Sequence, residues 1–272
     1  MTRALSGAAL VVLAVALVWF APAALFFAAG EALLLLACAE YATLARASGF
    51  NVPMVVAGVA SALTCAAVAG LPVFSETPVL SGTIVPLDIV LLSAIVVLGA
   101  LALPRWRGGA DALGQAAASL FPLLYLGLPI GALISIRATH GREALFLLML
   151  TVIVSDTAQY YTGRLFGRRP LAPTISPKKT IEGAIGGFLF GTILLAVAGR
   201  WWLPAVPLAI RVALGATIVV LGIVGDLFES MLKRSAGVKD SSTLIPGHGG
   251  VLDRIDALLF AAPVYYIVLK YV

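Results

Sequence analysis

The sequence predicts an all-α fold, a polytopic integral membrane bundle of about nine transmembrane helices, and three observations lead there. Charged residues make up 11% of the chain, where a soluble domain carries about 25%. Hydrophobic residues make up 61%, with a mean hydropathy of +1.06. No water-facing surface can be covered with so few charges, so lipid must be the solvent for most of it. Apolar runs also recur from end to end, each about 17 to 25 residues long, the length a spanning helix needs. Strands can span a bilayer too, but they show alternating segments of about ten residues, and these runs do not alternate. No soluble-looking block interrupts them, so residues 1–272 read as one membrane domain.

The first run, 4–20, is short and follows Arg3, and Ala21-Pro22-Ala23 behind it resembles a signal-peptide cleavage site. A second run, 23–44, starts almost at once, so the first is expected to remain as a span that turns at Pro22. The others are 52–71, 83–103, 115–136, 144–163, 181–202, 205–228 and 256–272, with the seventh and eighth divided at Leu203-Pro204. Cys38 and Cys65 sit inside apolar runs without metal-site spacing and read as small buried hydrophobes. Gly183, Gly187 and Gly191 recur every four residues, a helix-contact face that suits internal packing better than self-association.

Nine spans place the termini on opposite faces, and the basic residues then divide unevenly. The face with the N-terminus carries thirteen of the eighteen, among them Arg105, Arg107, Arg164, Arg168, Arg169, Lys178, Lys179, Lys233, Arg234, Lys239 and Arg254. Only Arg137, Arg142, Arg200, Arg211 and Lys270 fall on the other. Cytoplasmic loops concentrate Lys and Arg, so the thirteen-residue face is expected to be cytoplasmic.

A carboxylate at the centre of a spanning helix costs about 2.5–3.5 kcal/mol on translocon scales and is a functional candidate by default. Glu31 and Glu40 fall in the second run and Asp156 in the sixth, while Asp226 and Glu229 close the eighth and Asp253 and Asp256 open the ninth. The sequence assigns no role to Glu31 or Glu40. Asp226, Ser230 and Lys233 are spaced four and then three residues, one stripe of a helix. Two carboxylate sets at neighbouring helix ends suit Mg²⁺, which takes one or two carboxylates with water and phosphate oxygens. Between them runs Lys239-Asp240-Ser241-Ser242-Thr243, then Gly247-His248-Gly249-Gly250, donors and glycines that let backbone approach an anion. A plain basic loop would explain the lysines alone, but not acids, bases and glycines together. Lys178 and Lys179 before the seventh run could bind lipid headgroups or a triphosphate.

At these residues the chain resembles the bacterial phosphatidate cytidylyltransferases. The family motif is filled by Ser230, Lys233-Arg234, Lys239-Asp240, His248-Gly249-Gly250, Asp253-Arg254 and Asp256. The likeness extends to Gly225-Asp226-Leu227-Phe228-Glu229, to Ser176-Pro177-Lys178-Lys179-Thr180 and to Ser155-Asp156-Thr157, covering about residues 150–260; Ala158 stands where glycine is expected. The resemblance implies transfer of CMP from CTP to phosphatidate, giving CDP-diacylglycerol and pyrophosphate. It implies Mg²⁺ on Asp226 and Asp253, with Asp256 and Asp156 as further metal candidates and a monovalent cation such as K⁺ alongside. Lys233 and Arg254 are the catalytic cations on this reading. Lys178, Lys179, Ser230, Arg234, Lys239, Asp240 and His248 are then the substrate-binding set. It further implies a multi-pass protein of the bacterial inner membrane with a cytoplasm-facing site, no nucleic-acid partner, and a homodimer. The competing readings are a CTP-dependent lipid-alcohol kinase and an ion-coupled transporter; a transporter predicts repeats in matching halves, whereas these motifs crowd into one.

Overall fold

The computed structural model describes residues 2–70, 86–106, 111–245, 247 and 249–272. The helices are α1 (Thr2–Phe20), α2 (Ala23–Ala47), α3 (Met54–Ala69), α4 (Leu87–Ala102), α5 (Ala112–Pro122), α6 (Leu128–Phe166), α7 (Ile181–Trp202), α8 (Leu208–Ser235) and α9 (Leu252–Tyr271). A small antiparallel ribbon, β1 (Pro170–Ala172) and β2 (Ser176–Thr180), joins α6 to α7 with Pro170 opposite Thr180. The sequence predicted a polytopic helical membrane bundle, and that is the architecture; the ribbon is an element that it did not anticipate.

Among the described residues, four stretches are long and apolar enough to cross a bilayer: Ala23–Ala47, Ala112–Phe166, Ile181–Trp202 and Leu208–Ser235. Gly7–Phe20, Met54–Ala69 and Leu87–Ala102 are apolar but shorter. Part of the fourth predicted run, 83–85, lies outside the described residues. The ninth begins earlier than predicted, because its helix starts at Leu252 and so takes in Asp253 and Asp256.

The fifth and sixth predicted runs belong to one continuous stretch. α5 passes through a π-helical turn, Leu123–Gly127, into α6, and only Gly141 (φ 87°, ψ 166°) breaks the helix between 128 and 166. That φ lies where side-chain-bearing residues are strained, so Gly141 is the hinge that redirects the chain. Beside it, Arg137 donates from Nε to the Val18 carbonyl at 2.8 Å and from Nη2 to that of Ala21 at 2.5 Å. Arg142 donates to the Trp19 carbonyl at 3.1 Å, and His140 lies 3.0 Å from that of Leu269. The C-terminal ends of α1 and α9 therefore meet the α6 bend at one end of the bundle.

One core runs between α6, α7, α8 and α9, centred on Leu147, Leu148, Leu195, Ile218, Ala261 and Tyr265. A second joins α2 and α3 to the α5–α6 stretch and α9 through Leu34, Cys65, Leu126, Leu252 and Leu259. Cys38 and Cys65 are both buried and free, as expected. The Gly183–Gly187–Gly191 face packs inside the chain: a Cβ on Gly187 would lie 2.3 Å from Gln159 Cγ and 2.9 Å from the Ser155 carbonyl of α6. Gly187→Val is accordingly expected to cost about 1–3 kcal/mol by overpacking, seen as a lowered Tm in detergent. The same closeness joins α8 to α9, where a Cβ on Gly225 would stand 2.6 Å from the Asp256 carbonyl oxygen.

Candidate active site

The far end of the bundle gathers the predicted acids and lysines. Ser48, just past α2, lies 3.3 Å from Ser235 at the end of α8, hydroxyl to hydroxyl. Arg234 of α8 donates to the Ile175 carbonyl in the ribbon at 3.4 Å and to that of Val238 at 2.9 Å. The ends of α2, α6 and α8, the ribbon and the start of α9 thus share one polar surface, opposite the Gly141 bend.

The α8 stripe forms as its spacing predicts. Ser230 donates to Asp226 Oδ1 at 3.4 Å, and Lys233, a further turn along, reaches Asp253 Oδ1 at 2.5 Å. The same ammonium makes an ion contact with Glu229, whose side chain is fully buried. Lys233 therefore serves two carboxylates at once, one on its own helix and one on α9.

Lys179 donates to Asp226 Oδ2, and the local sequence explains its aim. Thr180 caps α7, its hydroxyl accepting from the Gly183 N–H at 3.1 Å. Glu182 accepts the N–H groups of Arg168 and Arg169 at 3.0 and 3.2 Å, gripping the chain where the ribbon begins. Side chains alternate along a strand, so the neighbouring lysines differ: Lys178 is exposed while Lys179 turns to the acid.

Asp253 is heavily bonded. Besides Lys233 it accepts the Ser241 N–H at 2.8 Å, the Ser241 hydroxyl at 2.7 Å and the Gly250 N–H at 2.8 Å. The loop delivering these donors turns on Gly247 and Gly249, both at positive φ. A side chain on Gly249 would strike Asp253 Oδ2 at 2.5 Å, so glycine is required there for conformation and for room. His248 lies outside the described residues.

The close contact at Gly225 brings the α8 backbone beside Asp226 against the Asp256 carbonyl of α9. Asp156 accepts from Gln159 Nε2 at 3.0 Å, and Asp256 Oδ1 accepts from the Ala257 N–H at 2.7 Å. Among the described residues no three acidic, histidine or cysteine side chains are grouped to hold a metal ion between them. Positive charge is nonetheless held at Asp226 and at Asp253, by two lysine ammonium groups. All the donors there are hard carboxylate oxygens, and Mg²⁺ needs only one or two of these beside water and phosphate. The residues fit that ion.

Arg234, Lys239, Asp240 and Arg254 are exposed around this centre. Lys239 and Asp240 line a hollow of about 740 Å³ with Ser241, Ser242, Thr243 and Glu40. A smaller apolar hollow between α2, α5 and α8 lies on the face of α8 that carries Phe228 and Leu232, away from the Asp226 stripe. Sequence reasoning missed the part of Glu40, whose carboxylate meets the loop before α9; its signals were an acid in an apolar run and a weak likeness of Glu40-Tyr41 to the family.

Fold and site together define a polytopic membrane protein with an acid–lysine centre built where its helix ends converge. The chain belongs to the Cytidylyltransferase family, whose model matches residues 1–272, as the motif resemblance implied. It is 42% identical over 159 residues to the phosphatidate cytidylyltransferase of Thermotoga maritima, covering 57% of this chain and 59% of that protein. It is 34% identical over 177 residues to the phosphatidate cytidylyltransferase of Helicobacter pylori, 65% of this chain and 63% of the relative. With the enzyme of the same name from Aquifex aeolicus the identity is 39% over 153 residues, 56% of each. The chain thus spans between 56% and 63% of the length of these relatives.

Proposed function

We propose that this protein transfers the cytidylyl group of CTP to phosphatidate, yielding CDP-diacylglycerol and pyrophosphate. The observation that carries this reading is the pair of lysines, Lys179 and Lys233, brought by the ribbon and by α8 onto Asp226 and Asp253 in a chain of the cytidylyltransferase family.

A phosphatidate oxygen, already ionised near neutral pH, attacks the α-phosphorus of CTP. The new bond is lipid-phosphate oxygen to α-phosphorus, the bond between the α-phosphorus and its bridging oxygen to the β-phosphate breaks, and pyrophosphate leaves. No general base is needed; the obstacle is repulsion between two anions, which fixed positive charge relieves. Asp226 and Asp253 would hold Mg²⁺, with Asp256 and Asp156 alongside and room in the charge balance for a monovalent cation such as K⁺. When bound, the metal supplies charge neutralisation at the attacking and leaving oxygens. Lys179 and Lys233 would meet the phosphates beside these acids, with Lys178, Arg234, Lys239 and Arg254 as further cations for the triphosphate and the lipid phosphate. Asp253, tied to Ser241 and Gly250, keeps the loop in place.

Both substrates bear on location. CTP is soluble and phosphatidate lies in the leaflet, so the site belongs at a membrane surface. The excess of basic residues on its side supports a cytoplasmic site in a bacterial inner membrane. A homodimer would have to use a face other than the Gly183–Gly191 stripe, which α6 covers.

The test is label transfer. Purified protein with phosphatidate, Mg²⁺ and CTP labelled at the α-phosphate should place the label in lipid, and EDTA should stop it. γ-Label should leave as pyrophosphate; γ-label in a lipid alcohol would replace this reading with a CTP-dependent kinase.

A further inference from the structure

Glu40 is buried near the end of α2, with 6% of its surface exposed, on a helix that brings no other acid to the centre. Both carboxylate oxygens are fully used. Oε1 accepts the Ser242 hydroxyl at 2.6 Å and the Val251 N–H at 2.9 Å. Oε2 accepts the Ser241 hydroxyl at 3.0 Å and the Leu252 N–H at 2.8 Å.

Two of these bonds fall at the N-terminus of α9, which receives no cap from its own Val251 side chain. The first N–H groups of a helix lack internal partners and favour a negative charge. Glu40 is therefore the cap of α9, supplied from about 210 residues away. The other two bonds hold consecutive serines of the loop, and the Ser241 hydroxyl also lies 2.7 Å from Asp253 Oδ2. Its single proton is shared between the Glu40 and Asp253 carboxylates. Space is closed around the junction: a Cβ on Gly250 would lie 2.2 Å from the Ser241 hydroxyl oxygen and 2.3 Å from Glu40 Oε1.

We infer that Glu40 is a positioning residue for cytidylyl transfer, fixing Asp253 by holding Ser241 and the first turn of α9 in one register. It acts through Asp253, and the inference rests on the cytidylyltransferase reading of the site. Glu40→Gln preserves shape and volume, but turns an amide N–H₂ toward groups that are themselves donors. That mismatch loosens the loop without opening a cavity.

The experiment compares wild type, Glu40→Gln, Ser241→Ala, the double variant and Glu31→Gln, all purified in detergent with Tm recorded. Expected for Glu40→Gln is a kcat about 10- to 100-fold lower, with KM for CTP changed less than about threefold and Tm within a few degrees. Ser241→Ala should also lower kcat, and the double variant should be scarcely worse than Glu40→Gln because both act on Asp253. Glu31→Gln, nine residues earlier on the same helix, should match wild type. Trypsin should cut after Lys239 several-fold faster in Glu40→Gln, a readout independent of turnover. Unchanged kcat in Glu40→Gln, an equal loss in Glu31→Gln, or losses that multiply in the double variant would overturn the inference. If Glu40→Gln does not fold, Ser241→Ala decides: kcat within twofold of wild type overturns it. A wild-type protein without cytidylyl transfer sinks the functional reading instead, and the cleavage rate at Lys239 then decides whether Glu40 holds the loop.

Discussion

Asp226→Asn is expected to reduce cytidylyl transfer by at least about 10²- to 10³-fold, the range found when one preorganised electrostatic contact is lost. The substitution removes the negative charge that Lys179 meets and that a divalent ion would share. It leaves the size of the side chain and the Ser230 contact geometry nearly intact. Asp226 is only partly buried, with 29% of its side chain exposed, so the protein should remain folded. The measurement is kcat at saturating CTP and Mg²⁺ beside Tm in the same detergent. Near-normal turnover would remove Asp226 from the metal set and shift the chemistry to the α9 acids.

Lys233→Met is expected to damage stability as well as activity. Its ammonium stands between Glu229, 0% exposed, and Asp253, 5% exposed. Deleting one partner of a buried charge arrangement strands the other, at about 3–5 kcal/mol. Here two carboxylates are stranded. The expected result is a lower yield of monodisperse protein and a Tm depressed by several degrees. Adding Glu229→Gln to Lys233→Met should recover part of the Tm while turnover stays lost, because one of the stranded charges has gone. A Tm equal to wild type for Lys233→Met alone would show that water reaches these acids.

The helical stripe Asp226–Ser230–Lys233 was legible in the sequence because helix periodicity is local and the eighth helix continues through Ser235. The bend between the fifth and sixth runs was legible too: Arg137, His140 and Arg142 interrupt the apolar pattern there, although not that a single glycine makes the turn. The ribbon was hidden because eleven residues with three prolines carry no alternation strong enough to read. The partnering of Lys179 with Asp226 spans 47 positions and that of Glu40 with Ser241 spans 201. Pairings of that range are set by how helices pack, and no local pattern in one sequence encodes them. The family motif named the acids and lysines of this surface, but it said nothing of which lysine meets which acid.

The grip of Arg137 and Arg142 on α1 bears on how the chain assembles. As the nascent polypeptide enters the bilayer, the last carbonyls of its opening helix have no protein partner until well over a hundred further residues have been made. In the interim, water and lipid headgroups must satisfy them. α1 is therefore expected to dock late, after the arginines arrive, so that its insertion and its tertiary closure are separate events.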